Sequence, residues 1–315
     1  MTEPSLFSVP CADPDGGHRM AYWQWGDPAS PHVVLCVHGL TRQGRDFDVL
    51  ARALLAHADG KLRVVCPDVV GRGRSDWLRD PQGYQVPQYA ADMLALLAQL
   101  QHEKAIDTLD YVGTSMGGLI GMALAGSPRL ALPAPIHRLV LNDVGPVVQP
   151  AAIARIAAYV GRPASFASVD AAADAMWLLS SSFGPHTPEQ WRELTRHLLV
   201  SAAQRSADGS AKVASTDETP PFVLHYDPAI AVPIRAITPE MMAQSELAMW
   251  ALYDAITAPT LLVRGAVSDL LLGDTAHQMT QRGPRATLVE FDGVGHAPTL
   301  IAPAQSGAVV SFLLA

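Results

Sequence analysis

The segment Gly113-Thr114-Ser115-Met116-Gly117-Gly118 carries the clearest chemical signal in the chain. It follows the apolar run Leu109–Val112 and opens the small, apolar run Leu119–Ala125. A serine on such a strand-to-helix turn is held in a strained backbone conformation, with its hydroxyl raised above the sheet. Gly113 and Gly117 have no Cβ, so strand and helix can cross closely there. The start of the helix adds partial positive charge beside the serine. This arrangement suits attack on an acyl carbon, provided that a base takes the serine proton.

Of the eleven histidines, His296 is best placed to be that base. It lies in Asp292-Gly293-Val294-Gly295-His296-Ala297-Pro298, a glycine-rich loop after the last expected strand. Loops at the carboxyl ends of the strands of an open α/β sheet share one rim, which brings Ser115 and His296 together. An imidazole acting this way needs a carboxylate on its other nitrogen. Asp269, in Arg264-Gly265-Ala266-Val267-Ser268-Asp269, is the preferred acid, and Asp143, in Asn142-Asp143-Val144-Gly145-Pro146, is the competitor. Both follow strands on the same rim, and either keeps the chain order Ser, Asp, His. The oxyanion of an acyl-transfer intermediate also needs donors. The N–H of Met116 and the N–H of Leu40, in His38-Gly39-Leu40-Thr41, are the candidates.

Other residues bear on the substrate. Arg42 and Arg45 could take a substrate carboxylate through a guanidinium fork, although both also fit an exposed turn. Met176, Trp177, Phe183, Trp191 and Trp250 could line an apolar acyl pocket, and equally could pack a local core. The run Gly71-Arg72-Gly73-Arg74-Ser75 is rich in glycine but lacks the Gly-Lys-Ser/Thr of a phosphate loop, so it reads as a structural turn. No histidine, cysteine or acidic spacing suggests a metal site, and the chemistry outlined needs no cofactor.

These residues must be positioned by a scaffold. Strands are expected at His32–Val37, Leu62–Cys66, Leu109–Val112, Ile136–Leu141, Thr260–Val263 and Ala286–Phe291. Most are continuously apolar, as befits strands covered on both faces of a parallel sheet. Tyr89, Met93, Leu96, Leu97 and Leu100 fall on one helix face. Helices are also expected over Leu119–Ala125, Asp274–Gln281 and Gln305–Leu314. The alternation implies βαβ units with right-handed crossovers. It lapses from Gly145 to about Thr257, where Ala152–Val160, Ala171–Leu179 and Glu189–Ser201 read as helical and Ser206–Pro221 as a polar break. The chain therefore divides into a body of residues 1–147 and 255–315 and a mainly helical insertion, 148–254.

Composition excludes several classes. With 315 residues, 49% of them hydrophobic, the chain can bury about three quarters of its unfolded surface. Twenty-two basic against 30 acidic residues give a net charge of −8, which argues against a nucleic-acid partner. No apolar run approaches the length of a membrane span, and the first residues lack the pattern of a signal peptide. Three cysteines, Cys11, Cys36 and Cys66, form no paired framework. A cytoplasmic protein with a small-molecule substrate is expected, and its oligomeric state is not readable.

Together, VVLCVHGL, CPDVVGRGRSD, YVGTSMGGLIGMALA, RLVLNDVGP, LLVRGAVSDLL and GVGHAP, in this order, resemble the α/β-hydrolase superfamily. The resemblance covers roughly residues 20–147 and 255–315. It implies an α/β-hydrolase fold: an eight-stranded, mostly parallel sheet flanked by helices, with a helical cap inserted after strand six. It also implies a triad of Ser115, His296 and Asp269. The segments NDVGP and HGLTRQGRDF are similar to the bacterial lineage of ester, enol-lactone and meta-cleavage-product hydrolases. Members with an aspartate nucleophile differ from this chain at Ser115, and HGLT departs from the HGGG of one lipase group. The expected activity is hydrolysis of a carboxylic ester, lactone or thioester through an acyl-enzyme. A C–C bond hydrolase of a vinylogous diketone acid is the alternative, and a ligand-binding protein without turnover is a remote one.

Overall fold

The computed structural model describes residues 3–207 and 221–315. The polar break read at Ser206–Pro221 falls almost wholly outside the described residues. Eight strands form one sheet: β1 (Ser5–Cys11), β2 (His18–Gly26), β3 (His32–Val37), β4 (Arg63–Pro67), β5 (Thr108–Thr114), β6 (Ile136–Asn142), and, after an insertion, β10 (Thr260–Gly265) and β11 (Thr287–Phe291). Their order across the sheet is β1-β2-β4-β3-β5-β6-β10-β11. β1 pairs antiparallel with β2, and β2 antiparallel with β4; every later pairing is parallel.

The apolar runs are continuous because both faces are covered. In β3, Val33, Leu35 and Val37 join the core on one side of the sheet, and Val34 and Cys36 join the core on the other. The first side is closed by α2 (Val86–Glu103), through Tyr89, Met93, Leu96, Leu97 and Leu100, and by α3 (Met116–Gly126). The second is closed by α1 (Asp48–His57) and α11 (Pro303–Leu313), through Leu50, Leu54, Val309, Val310 and Leu313. The helix expected at Asp274–Gln281 is α10 (Gly273–Met279). The hairpin β1–β2 precedes the first strand readable by pattern, and β1 is mostly exposed, so its sequence carries no apolar run.

The insertion between β6 and β10 is not purely helical. It holds α4 (Pro150–Tyr159), β7 (Ser165–Phe166), α5 (Val169–Ser180), α6 (Pro188–Arg196), β8 (Leu199–Ser201), α7 (Ala202–Ala207), β9 (Phe222–Leu224), α8 (Ala231–Arg235) and α9 (Pro239–Asp254). β7, β9 and β8 pair antiparallel as a second, small sheet. Strands of two and three residues are too short to show a period of two, so Glu189–Ser201 read as one helix. The helix in fact ends at Arg196. α9 packs along α3 of the body, and its Trp250 and Tyr253 belong to the large core cluster. The two helices cross so closely that a Cβ on Gly126 would lie 2.0 Å from the Leu252 carbonyl oxygen. Among the described residues no helix is long and apolar enough to cross a membrane.

Candidate active site

Ser115 sits between β5 and α3 with φ 51° and ψ −116°, a strained conformation for a residue with a Cβ. The turn is fixed from both ends. The Ser115 N–H donates to the Asn142 carbonyl at 2.9 Å, and the Gly118 N–H donates to the Ser115 carbonyl at 2.8 Å. The glycines are sterically required. A Cβ on Gly113 would lie 2.4 Å from the Gly117 carbonyl oxygen, and one on Gly117 would lie 2.0 Å from that of Val37. The strain at Ser115 is thus over-determined by backbone packing, which is the condition for it to persist.

Ser115 Oγ lies 2.9 Å from His296 Nε2. His296 Nδ1 lies 2.8 Å from Asp143 Oδ2. Asp143, and not Asp269, therefore faces the imidazole, and the preferred choice of acid is corrected. The cause lies in the length of each turn. Asp143 follows β6 directly, with φ 56°, and its carboxylate is fully buried. That carboxylate also accepts from the Gly265 N–H at 3.0 Å and from the Ser268 hydroxyl at 2.7 Å. Such donors offset the cost of burying a charge. Asp269 lies four residues past β10, beyond a turn in which the Ser268 N–H donates to the Gly265 carbonyl. Its side chain is half exposed and pairs with Arg155 at 2.8 and 2.9 Å.

The loop His38-Gly39-Leu40 runs beside the serine: a Cβ on Gly39 would lie 3.6 Å from Ser115 Cβ. Neither the Leu40 N–H nor the Met116 N–H has an acceptor among the described residues. The loop is held from beneath by Arg72, from the run that reads as a structural turn, and by His38 and Asp68. Arg72 is fully buried; its Nε donates to the Leu40 carbonyl at 2.8 Å and its Nη1 to the Val70 carbonyl at 2.6 Å. Its guanidinium also lies over the rings of Tyr84 and Tyr89. His38 accepts from the Val69 N–H at Nε2, and its Nδ1 donates to the Gly39 carbonyl. Burial pushes its pKa down to about 3, which keeps this tautomer neutral. Asp68, raised by burial to about 6, accepts from the Gly44 and Arg74 N–H groups and from Trp23 Nε1. The GRGRS run marked the place, but nothing in its spacing shows that Arg72 reaches across to Leu40.

Ser115 and His296 open into a cavity of about 470 Å³ between body and insertion. Of the expected pocket residues, Arg42, Met176 and Phe183 line it; Arg45, Trp177, Trp191 and Trp250 do not. Arg45 is tied to Asp48 and Glu3 and stacks on Trp23. Trp177 and Trp191 form an edge-to-face cluster with Phe183 and His186, packed with Ala173 and Leu194 of the insertion and with Ile301 and Val49 of the body. Trp250 lies under Arg282 and against Tyr253. Helical spacing of aromatics could not separate lining from packing. The insertion instead contributes Arg155, Ile156, Tyr159, Arg162, Phe166 and Leu224, which sequence reasoning did not single out.

The alpha/beta hydrolase fold family matches residues 32–303. The chain belongs to the α/β hydrolase family. This α/β hydrolase is 51% identical over 302 residues to a 3-hydroxybutyrate-oligomer hydrolase of Cupriavidus necator, covering 96% of this chain and 95% of that one. Its fold is similar to the crystal structure of an alpha/beta hydrolase from Novosphingobium aromaticivorans, with a TM-score of 0.78 and 35% identity over 100% of this chain and 99% of the other. It also shares the fold of the thioesterase domain from the curacin biosynthetic pathway, at a TM-score of 0.68 and 23% identity over 99% and 100% of the two chains.

Proposed function

We propose that this α/β hydrolase is a serine ester hydrolase acting on short 3-hydroxybutyrate oligomers through an acyl-enzyme. The observation that carries the reaction class is the unbroken relay Ser115 Oγ, His296 Nε2, His296 Nδ1, Asp143 Oδ2 at the floor of a cavity. The substrate class is supported by the 51% identity with the Cupriavidus necator hydrolase over nearly the whole of both chains.

In this reading, Ser115 Oγ attacks the ester carbonyl while His296 Nε2 takes its proton. Asp143 holds Nδ1 protonated, which leaves Nε2 free to accept, and it stabilises the imidazolium that forms. The N–H groups of Leu40 and Met116 receive the oxyanion, each contributing on the order of 10²–10³ in rate. Collapse of the intermediate expels the alcohol, which takes the proton back from His296. Water then attacks the acyl-enzyme with His296 again as base, releasing the acid and restoring Ser115. Ile156, Phe166, Met176, Phe183, Leu194 and Leu224 make most of the wall apolar, a fit for the methyl branches of a 3-hydroxybutyryl chain.

The test is release of 3-hydroxybutyrate from its linear dimer and trimer, compared with p-nitrophenyl esters from acetate to dodecanoate. The reading expects the oligomers to be cleaved with the higher kcat/KM. Intact oligomers alongside consumption of a ring-cleavage diketone acid would replace it with the C–C hydrolase reading.

A further inference from the structure

The protein carries a net charge of −8, yet the cavity is biased the other way. Of the side chains lining it, Arg42, Arg155 and Arg162 are cationic and Asp46 alone is acidic. Arg42 is committed: its guanidinium is bidentate on Asp46 at 2.5 and 2.8 Å and reaches the Leu194 carbonyl, with both partners largely buried. Arg155 and Arg162 differ. The Arg155 guanidinium interacts with Tyr159 beside it, and its ion-pair partner among the described residues is Asp269, both members being about half exposed. Such a pair is exchangeable at little cost, because solvent screens it. The Arg162 side chain has no hydrogen bond or ion pair among the described residues, and it is exposed at the cavity wall. Tyr159 lines the cavity in the same stretch of chain, so one wall of the insertion presents two available guanidinium groups.

We propose that Arg155 and Arg162 form a carboxylate subsite for the leaving group of the substrate. The proposal rests on the ester-hydrolase reading above. A linear 3-hydroxybutyrate oligomer ends in a free carboxylate, only a few bonds from the last ester carbonyl. With that carbonyl at Ser115, the subsite requires the terminal acid to lie towards Arg155 and Arg162, which leaves the apolar side chains of the same cavity for the acyl part. A guanidinium fork matches a carboxylate with two parallel hydrogen bonds, and a second one adds charge. Asp269 then holds Arg155 at the rim until substrate displaces it. The consequence is cleavage from the carboxyl end, one monomer at a time.

The test separates binding from turnover. In a Ser115→Ala background, calorimetry compares 3-hydroxybutyryl-3-hydroxybutyrate with its methyl ester. The acid is expected to bind about ten- to a hundred-fold more tightly, the range of a hydrogen bond to a charged group. That preference is expected to collapse with Arg162→Gln, to shrink with Arg155→Gln, and to fall with added salt. Equal affinity for acid and ester, no measurable binding of the acid, or a preference that survives both substitutions would overturn the subsite. Turnover by the intact enzyme is measured in parallel. Cleavage of both dimers with no preference for the acid overturns the subsite alone. Acid-selective binding without cleavage of either dimer keeps the subsite and overturns the substrate reading. In that case, binding and cleavage of a ring-cleavage diketone acid through the same arginines would assign the carboxylate to that class.

Discussion

Asp143→Asn is expected to lower kcat by about 10⁴, the scale seen when a serine triad loses its carboxylate. The geometry says why the effect should exceed loss of charge alone. A hydrogen bond to a charged group is worth about 1.5–3 kcal/mol, or roughly 10- to 150-fold. The remainder comes from the imidazole tautomer. Asp143 Oδ1 accepts from the Gly265 N–H, a backbone donor that cannot reverse. An asparagine must therefore keep its oxygen there and place its NH₂ at the Oδ2 position, against His296 Nδ1 and the Ser268 hydroxyl. Nδ1 becomes an acceptor, Nε2 carries the proton, and Ser115 loses its base. A 10⁴-fold loss corresponds to about 5.4 kcal/mol of transition-state stabilisation. Asp269→Asn, by contrast, removes half of an exposed pair with Arg155, and kcat on a neutral p-nitrophenyl ester should stay within about threefold of wild type. The assay is kcat on p-nitrophenyl butyrate, with circular dichroism and Tm to confirm folding. Near-normal turnover in Asp143→Asn, or the large loss in Asp269→Asn, would refute this assignment.

Arg72→Lys keeps a positive charge but loses the fork that holds the Leu40 and Val70 carbonyls. It should lower kcat by about ten- to a hundred-fold with a smaller change in KM, because small misplacements of catalytic donors cost that much; a shift in KM alone would contradict a positioning role. His18 is expected to make stability fall at alkaline pH. Burial opposes its charge, but hydrogen bonds to Asp92, Cys11 and Asp13 prevail and raise its pKa to about 10. The folded state thus favours the imidazolium; the contribution is full below the ordinary value near 6.5 and is lost as pH rises towards 10. Tm measured across that window should decline, and the decline should flatten in His18→Gln; an equal slope in both proteins would contradict this.

Much of the fold was legible because its signals are local. The apolar runs of β3, β4 and β10 declare strands buried on both faces, and the run of small residues after Ser115 declares a helix that must approach a strand. The meeting of Ser115 and His296 was readable for a related reason: each lies in a glycine-marked turn at the end of a strand, and the rim brings such turns together. The acid was not. Asp143 and Asp269 lie on that rim alike, and they are separated only by the turn at Gly265–Ser268, which aims the serine inward and the aspartate out. The pocket was illegible for a different reason. Trp177, Trp191 and Trp250 have the composition of a lining but serve as packing, whereas Arg155 and Arg162 have the composition of a surface but line the cavity. Tertiary contacts decide this, and periodicity does not encode them. The small sheet of β7, β8 and β9 escaped because its strands are shorter than one alternation pattern.

The central claim is that Ser115 is the nucleophile of an ester hydrolase. The most direct measurement is hydrolysis of the linear 3-hydroxybutyrate dimer by the wild-type protein and by Ser115→Ala, under identical conditions and with matched folding. The account predicts turnover by the wild type and a fall in kcat on the order of 10⁶ in the variant, the scale of losing a triad nucleophile. Hydrolysis by Ser115→Ala at a rate near that of the wild type would contradict it.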